Sequence, residues 1–296
     1  MSLKELVVSK LVLGTAQFGF KYGVANQGGM ISIDEGKKIF SCAVAANINT
    51  LDTAIAYGQS QYSLGQLGVV GWNVISKLSK LPNEVKDVDG WVESQIVSAL
   101  KILGINQLYG VLLHQSSHNS EAENLKLFNA LQKLKDSSLI GKLGVSIYNP
   151  SELDSLFDKV NLDLVQAPFN IFDRRLLQSE WMTRMKNIGI EIHVRSVFLQ
   201  GLLLMSASSR PAKFEQWKSL WRLWDDWLLN HGISAMEACI AYVCSQPEVD
   251  KVIIGVDNAS QLQQIINAQH QKLSSAPDFS KFADEKLTNP SLWAQL

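Results

Sequence analysis

The chain has 296 residues, of which 46% are apolar and 19% charged, and a formal net charge of −1. That is enough apolar matter for one barrel-sized domain or two smaller ones, and the charge balance gives no basis for binding nucleic acid or an anionic membrane surface. Residues 1–10 carry Lys4, Glu5 and Lys10 without the apolar centre of a signal peptide, and no apolar run approaches the ~20 residues of a membrane span, so a cytoplasmic protein is expected. Cys42, Cys239 and Cys244 are odd in number, form no CxxC pair and fall in predicted helices, where they read as buried thiols without a disulfide.

In chain order, short apolar strands alternate with amphipathic helices. Lys10 to Gly14 reads as a strand, a Gly-rich loop runs from Phe18 to Met30, and a helix opens near Ser32 with a capping-box-like pattern. Asn49 to Asp52 is a second strand. Gly58-Gln59-Ser60 then opens a short helix over Gln61 to Leu67, with Ser60 as its cap. Trp72 to Lys77 is strand three. Val92, Ile96, Ala99, Leu100 and Leu103 recur at helical spacing in a helix from Trp91 to Leu103, which leads into strand four at Leu108 to Leu113. A helix at about Glu121 to Lys135 precedes strand five, Lys142 to Ser146. Ser151 to Phe157 (helix), Leu162 to Ala167 (strand six), Leu176 to Asn187 (helix) and Glu191 to Arg195 (strand seven) follow. Two helices lie between Lys213 and Gln246, strand eight is Lys251 to Gly255, and a last helix spans roughly Ser260 to Gln269. Eight strands alternating with helices indicate a single α/β domain, a (β/α)8 TIM barrel over 1–296, with a long seventh crossover at about 196–250 and a C-terminal tail at about 272–296. Trp217, Trp221, Trp224 and Trp227 share one helical face and read as core packing.

In such a barrel the active site lies at the C-terminal ends of the strands. Strand two ends in Asp52 with Tyr57 just beyond, strand three ends in Lys77, and His114 follows strand four. Singly, Asp52 reads as a turn or cap, Lys77 as a solvated charge, His114 as a core imidazole and Tyr57 as a wall residue. Together at one rim, an acid, a phenol, an ammonium and an imidazole suit carbonyl reduction. A hydride arriving at a carbonyl carbon leaves charge on oxygen that needs a proton, and a phenol of pKa ~10 is a poor acid near neutrality. Lys77 is expected to pull the Tyr57 pKa down, Asp52 to hold Lys77 charged, and His114 to orient the carbonyl oxygen.

These residues carry a resemblance. Gly14-Thr15-Ala16, Leu51-Asp52-Thr53-Ala54 with Tyr57-Gly58, Ile75-Ser76-Lys77, Leu112-Leu113-His114, Gly144-Val145-Ser146, Val165-Gln166, Gln200-Gly201-Leu202-Leu203 and Ile253-Ile254-Gly255 resemble, in order and spacing, the motifs of the aldo-keto reductases across essentially the whole chain. The resemblance implies a catalytic tetrad of Asp52, Tyr57, Lys77 and His114 and an extended nicotinamide dinucleotide. Its contacts would fall at Gly14, Thr15 and Ala16, with Ser146 and Gln166 holding the carboxamide. The loop from Ser196 to Gly201, including Phe198 and Gln200, would cover the pyrophosphate, and Gly255, Asp257, Asn258 and Gln261 would receive the adenosine end. The absence of GxGxxG is consistent, because the family binds its dinucleotide without a Rossmann turn.

Three positions depart from the family pattern. Ile147 stands where a second carboxamide ligand, Asn, is usual, and Arg195 where an aromatic ring normally stacks on the nicotinamide. Asp257 stands where a basic residue often meets the 2'-phosphate, and Gly255 to Gln271 contains no Lys or Arg, which favours NADH or dual use over the NADPH that is the family default. The run Arg195 to Gly201 is similar to a bacterial subgroup found among sugar and polysaccharide biosynthesis proteins, so the implied partner is a small-molecule carbonyl compound, a sugar derivative among the options. Two other chemistries stay open: a Schiff-base lyase or aldolase using Lys77, against which the acid partner Asp52 argues by raising the lysine pKa, and a non-catalytic nucleotide-binding relative. His114 and His118 have no carboxylate or Cys nearby in sequence, so no metal site is expected.

Overall fold

The computed structural model describes residues 9–114, 119–273 and 276–296; Lys4 and Glu5 lie outside them. Eight strands, β1 (Leu11–Gly14), β2 (Thr50–Asp52), β3 (Asn73–Leu78), β4 (Leu108–His114), β5 (Ile140–Ser146), β6 (Leu164–Pro168), β7 (Glu191–Arg195) and β8 (Lys251–Ile254), form a closed barrel in sequence order. Every neighbouring pair is parallel, and β1 closes on β8 with Val12 opposite Ile253. The (β/α)8 barrel expected from the alternation of elements is therefore the fold.

Helices α1 (Ile33–Ala45), α2 (Ser60–Leu67), α3 (Val88–Leu103), α4 (Glu121–Asp136), α5 (Glu152–Leu156), α6 (Arg175–Gln178), α7 (Trp181–Asn187), α8 (Lys218–His231), α9 (Ala235–Cys244) and α10 (Ala259–Ala268) fill the connections, and a short α11 (Glu285–Thr288) follows. The starts of α1, α4 and α9 follow from their caps: Ser32, Ser120 and Ser234 each accept a hydrogen bond from the backbone N–H three residues on. Helix α3 begins three residues before Trp91, because the Asp87 side chain caps it by accepting from Gly90 N–H. The helix expected over Leu176 to Asn187 is two helices, since Glu180 adopts a left-handed φ of 63° between them. Ser60 is not a cap: it lies inside α2, and its buried hydroxyl donates to the Thr15 carbonyl at 2.8 Å.

Two apolar cores result. The larger lies between the strands and the helices; a small one inside the barrel contains Ile75, Leu112 and Leu164, with Tyr109 against it. Trp221, Trp224 and Trp227 are buried on α8, Trp217 just before it, and the Trp224 and Trp221 indoles donate to the carbonyls of Leu203 and Phe214. The C-terminal segment is tied down as well, for Trp293 is buried edge-on against Phe214. The cysteines are free: Cys239 is buried, whereas Cys42 and Cys244 are half-buried and not fully enclosed as expected.

Below the inner apolar layer, at the N-terminal ends of the strands, sits a second polar group. Lys142 donates to Glu191 at 2.5 Å and to the Tyr109 hydroxyl at 3.0 Å, Tyr109 donates to Glu191 at 2.9 Å, and the His193 Nε2 lies 3.3 Å from the same carboxylate.

Candidate functional site

The strand register decides what meets at the opposite rim. Asp52 pairs with Ile75 across β2 and β3, and Lys77 lies two residues further on, so alternation points both side chains into the barrel one layer above Ile75. The Lys77 ammonium donates to Asp52 Oδ1 at 2.5 Å and to the Thr53 carbonyl at 2.9 Å, with both side chains nearly inaccessible to water. Its third donor reaches the Tyr57 hydroxyl at 3.5 Å. His114, the last residue of β4, stands edge-on to the Tyr57 ring with centroids 6.1 Å apart. The structure thus brings Asp52, Tyr57, Lys77 and His114 together.

Tyr57 is delivered by a loop that has no regular structure of its own. Its position is set by a clasp: Gln59 N–H donates to the Gly19 carbonyl, and a Cβ on Gly19 would collide with the Tyr57 carbonyl oxygen. Only glycine allows that approach.

The electrostatics differ from the sequence expectation in two respects. The Tyr57 phenol is pushed up from its ordinary value, foremost by burial and then by the Asp52 charge, while Arg195 acts to lower it. Lys77 does not overcome these. Burial also lowers the Lys77 ammonium below its ordinary value, although the charge and hydrogen bond of Asp52 pull the other way. In a site this dry, desolvation outweighs a single opposite charge. Asp52 therefore does not disqualify Lys77 as a Schiff-base nucleophile by raising its pKa; access disqualifies it instead, because Lys77 is buried behind Asp52 and Tyr57 and does not line the cleft.

A cleft of about 380 Å³ runs from Tyr57 and His114 across the barrel mouth to Asp257, Gln261 and Gln264. Of the expected dinucleotide contacts, Gly14, Thr15, Ala16, Ser146, Gln166, Arg195, Ser196, Phe198, Gln200, Gly201, Gly255, Asp257 and Gln261 line it. Asn258 does not: its side chain accepts from Gln261 N–H at 2.9 Å and caps α10. Gln166 donates to Asp52 Oδ2 at 2.6 Å and accepts from Ser146 at 3.2 Å, which joins the polar end of the cleft to the Lys77–Asp52 pair. Asp257 accepts from Asn26 at 2.8 Å, so the loop after β1 bridges to the loop after β8. The same loop reaches the segment after β7, where Val24 N–H donates to the Gln200 carbonyl.

That segment has an unusual backbone. Ser196, Leu199 and Gln200 hold left-handed φ values of 61°, 49° and 54°, followed by Gly201 at 89°. Three non-glycine residues in this region store strain of order 1–3 kcal/mol each. Among the described residues the N–H groups of Val197, Phe198 and Gln200 take no part in the loop's backbone hydrogen bonds, and donors gathered in this way form a concavity suited to an anion.

Tyr22, Asn26 and Tyr148 line the cleft without having been singled out in the sequence. Tyr148 carried a signal, lying two residues past Ser146 on the same rim; Tyr22 and Asn26 lie in a 13-residue Gly-rich loop whose path no periodicity reveals. His118 lies outside the described residues, and among the described residues no group of three His, Cys, Asp or Glu could hold a metal ion. No helix is long and apolar enough to cross a membrane among the described residues.

The profile of the Aldo/keto reductase family matches residues 10–281. The chain is 22% identical over 294 residues to the uncharacterized oxidoreductase YqkF of Bacillus subtilis (strain 168), covering 92% of this chain and 90% of that protein. It is 25% identical over 304 residues to a probable voltage-gated potassium channel subunit beta of Arabidopsis thaliana, covering 90% of this chain and 91% of that one. Among solved structures, aldo-keto reductase AKR11C1 from Bacillus halodurans in its holo form shares the fold with a TM-score of 0.72 at 18% identity, over 95% of this chain and 93% of that chain.

Proposed function

The chain belongs to the aldo/keto reductase family, and from that premise we propose that it reduces an aldehyde or ketone to an alcohol, with a nicotinamide dinucleotide as hydride source and Tyr57 as proton donor. The observation that carries the reading is the Tyr57 hydroxyl: it lines the cleft, has Lys77 behind it at 3.5 Å, and has no closer hydrogen-bond partner among the described residues. Because burial raises its pKa, the phenol is fully protonated at neutral pH and can donate a hydrogen bond to a carbonyl oxygen. His114, on the same wall, offers a second polar contact that orients that oxygen. As the proton leaves Tyr57, the phenolate charge develops beside the Lys77 ammonium and near the Arg195 guanidinium, both of which stabilise it only at that point.

The residues present fit a dinucleotide. Ser146 and Gln166 would hold its carboxamide, the strained loop 196–201 would offer N–H donors to its pyrophosphate, and Gly255, Asp257, Gln261 and Gln264 line the far end of the cleft. When bound, the nicotinamide supplies the hydride. Among the described residues no Lys or Arg lines that far end, and Asp257 does, which favours NADH or use of both dinucleotides.

A second reading, a nucleotide-binding partner subunit without turnover, draws on the likeness to the potassium channel subunit beta. One experiment separates the two: consumption of NADH and NADPH by the purified protein with a panel of aldehydes, ketones, keto-sugars and nucleotide sugars. Carbonyl-dependent oxidation of either dinucleotide supports the reductase; binding without turnover across the panel supports the partner subunit and overturns the reductase.

A further inference from the structure

Arg195 is the sole Lys or Arg among the described residues that line the cleft. It is held on three sides: its guanidinium stacks on the Tyr148 ring at 4.3 Å, donates to the Ile147 carbonyl at 2.9 Å and donates to the Ser196 hydroxyl at 3.2 Å. None of these partners is a carboxylate. Arg174, Arg175 and Arg210 each have an acidic partner within ion-pair distance, whereas Arg195 has none among the described residues. The nearest acid of the catalytic end, Asp52, is already matched by Lys77 at 2.5 Å. A fixed and uncompensated positive charge therefore faces the reacting end of the cleft.

The following rests on the proposed reductase function. Hydride transfer requires the donor carbon about 3–3.5 Å from the carbonyl carbon, and the carbonyl oxygen must lie within about 3 Å of the Tyr57 hydroxyl. Those two distances confine the redox-active ring to the end of the cleft that Tyr57, His114, Tyr148 and Arg195 line. The oxidised ring carries a positive charge and the reduced ring is neutral, while the phosphates and riboses are the same in both. Any difference in how the two forms bind reports on charge next to the ring.

We propose that Arg195 is a specificity-determining residue for the oxidation state of the dinucleotide, binding the reduced form in preference to the oxidised one, so that the site loads the hydride donor for carbonyl reduction and releases the spent form. In that direction the carbonyl carbon gains the hydride and its electron pair, the carbonyl oxygen takes the Tyr57 proton, and the dinucleotide is the species oxidised. At an effective dielectric of about 20, two unit charges several ångströms apart repel strongly enough to change an equilibrium by more than tenfold. Tyr148 and the Ile147 carbonyl are the devices that keep the charge in place, and Ile147 contributes only its backbone.

The test needs no turnover. Wild type, Arg195→Met, Arg195→Tyr and Arg195→Lys are titrated separately with NADH and NAD+, and with NADPH and NADP+, following tryptophan fluorescence. Wild type is expected to bind the reduced form at least tenfold more tightly. Met and Tyr, both neutral but different in size, should each shrink that ratio by roughly tenfold, chiefly by improving the oxidised form, and Lys should retain it. A merely structural role for Arg195 would weaken both forms together and leave the ratio unchanged in a neutral variant that folds; that result overturns the inference and leaves the reductase reading standing. If no dinucleotide binds wild type, both fall.

Discussion

The two ends of this barrel carry the same four kinds of side chain, and only one end reads as an active site. At the C-terminal rim stand Asp52, Lys77, Tyr57 and His114; at the N-terminal rim stand Glu191, Lys142, Tyr109 and His193. The difference lies in unused bonding capacity. The Tyr109 hydroxyl makes contacts of 2.9, 3.1 and 3.0 Å to Glu191 and Lys142, which saturate it, whereas the Tyr57 hydroxyl has, among the described residues, one contact of 3.5 Å and faces a cleft. The Lys77–Asp52 pair is almost wholly buried, while Lys142 and Glu191 are each about a quarter to a third exposed. Residue type is not enough to make a site: a group acts on a ligand when its neighbours hold it in place and leave its reactive atom unsatisfied.

The comparison breaks most visibly at the phenols. Tyr57→Phe is expected to lower kcat by roughly 10²–10⁴-fold, the range for a positioned acid, with dinucleotide affinity unchanged. Tyr109→Phe should leave kcat alone and instead cost about 1–3 kcal/mol of unfolding free energy, because it removes hydrogen bonds to a charged group. Steady-state kinetics together with urea unfolding measure both, and a Tyr109→Phe protein with impaired kcat but wild-type stability would erase the distinction between the two ends.

Next in size are the lysines. Lys77→Met leaves Asp52 buried without its cation, at a cost of about 3–5 kcal/mol, whereas the part-exposed Lys142–Glu191 pair is screened by water and Lys142→Met should cost about 1 kcal/mol or less. Equal losses in chemical denaturation would show that burial does not separate the two pairs.

A smaller effect belongs to the far end of the cleft, where Asp257 already accepts from Asn26 and burial raises its carboxyl above the ordinary value. Asp257→Arg should shift the ratio of NADPH to NADH dissociation constants by about tenfold in favour of NADPH, or 1.4 kcal/mol. A tenfold preference for NADPH in wild type that survives this substitution would remove Asp257 from the argument.

A last effect is confined to the acid range. Burial works against the Glu191 carboxylate, yet hydrogen bonds from His193, Lys142 and Tyr109 bring its pKa down to about 2 from an ordinary 4.5. A depressed acid contributes stability that is fully present above the unfolded pKa and is lost as pH falls through the folded one, here between 4.5 and about 2. Wild type and Glu191→Gln should therefore differ in stability at pH 6 and converge below pH 2; a difference that persists in strong acid would mean that packing, not charge, makes the N-terminal cluster useful.

Much of this was legible in the chain. Periodicity located all eight strands to within two residues at either end, because parallel strands buried on both faces read as short apolar runs between capped helices. Asp52, Lys77 and His114 could be placed at strand ends by counting alone. The break at Glu180 escaped, since a left-handed residue other than glycine leaves no mark in a hydrophobic pattern. Ser60 was misread for the opposite reason: a hydroxyl at a helix start looks like a cap, and only the approach of Thr15, just past the end of β1, diverts it inward.

By itself, then, the sequence determined the barrel, the order of its elements and the residue types at its rim, all of which depend on local pattern and on which face of a strand a side chain occupies. The tertiary structure decided the rest: that Arg195 stacks on Tyr148 and carries no acid partner among the described residues, that Asp257 is bridged to Asn26, that burial overrides Lys77 in setting the Tyr57 pKa, and that one of two chemically similar clusters turns its phenol to a cleft while in the other the phenol is saturated by its neighbours. Each of these depends on distances between residues far apart in the chain and on how much water remains between them, and desolvation and contact at that range are properties of the packed molecule.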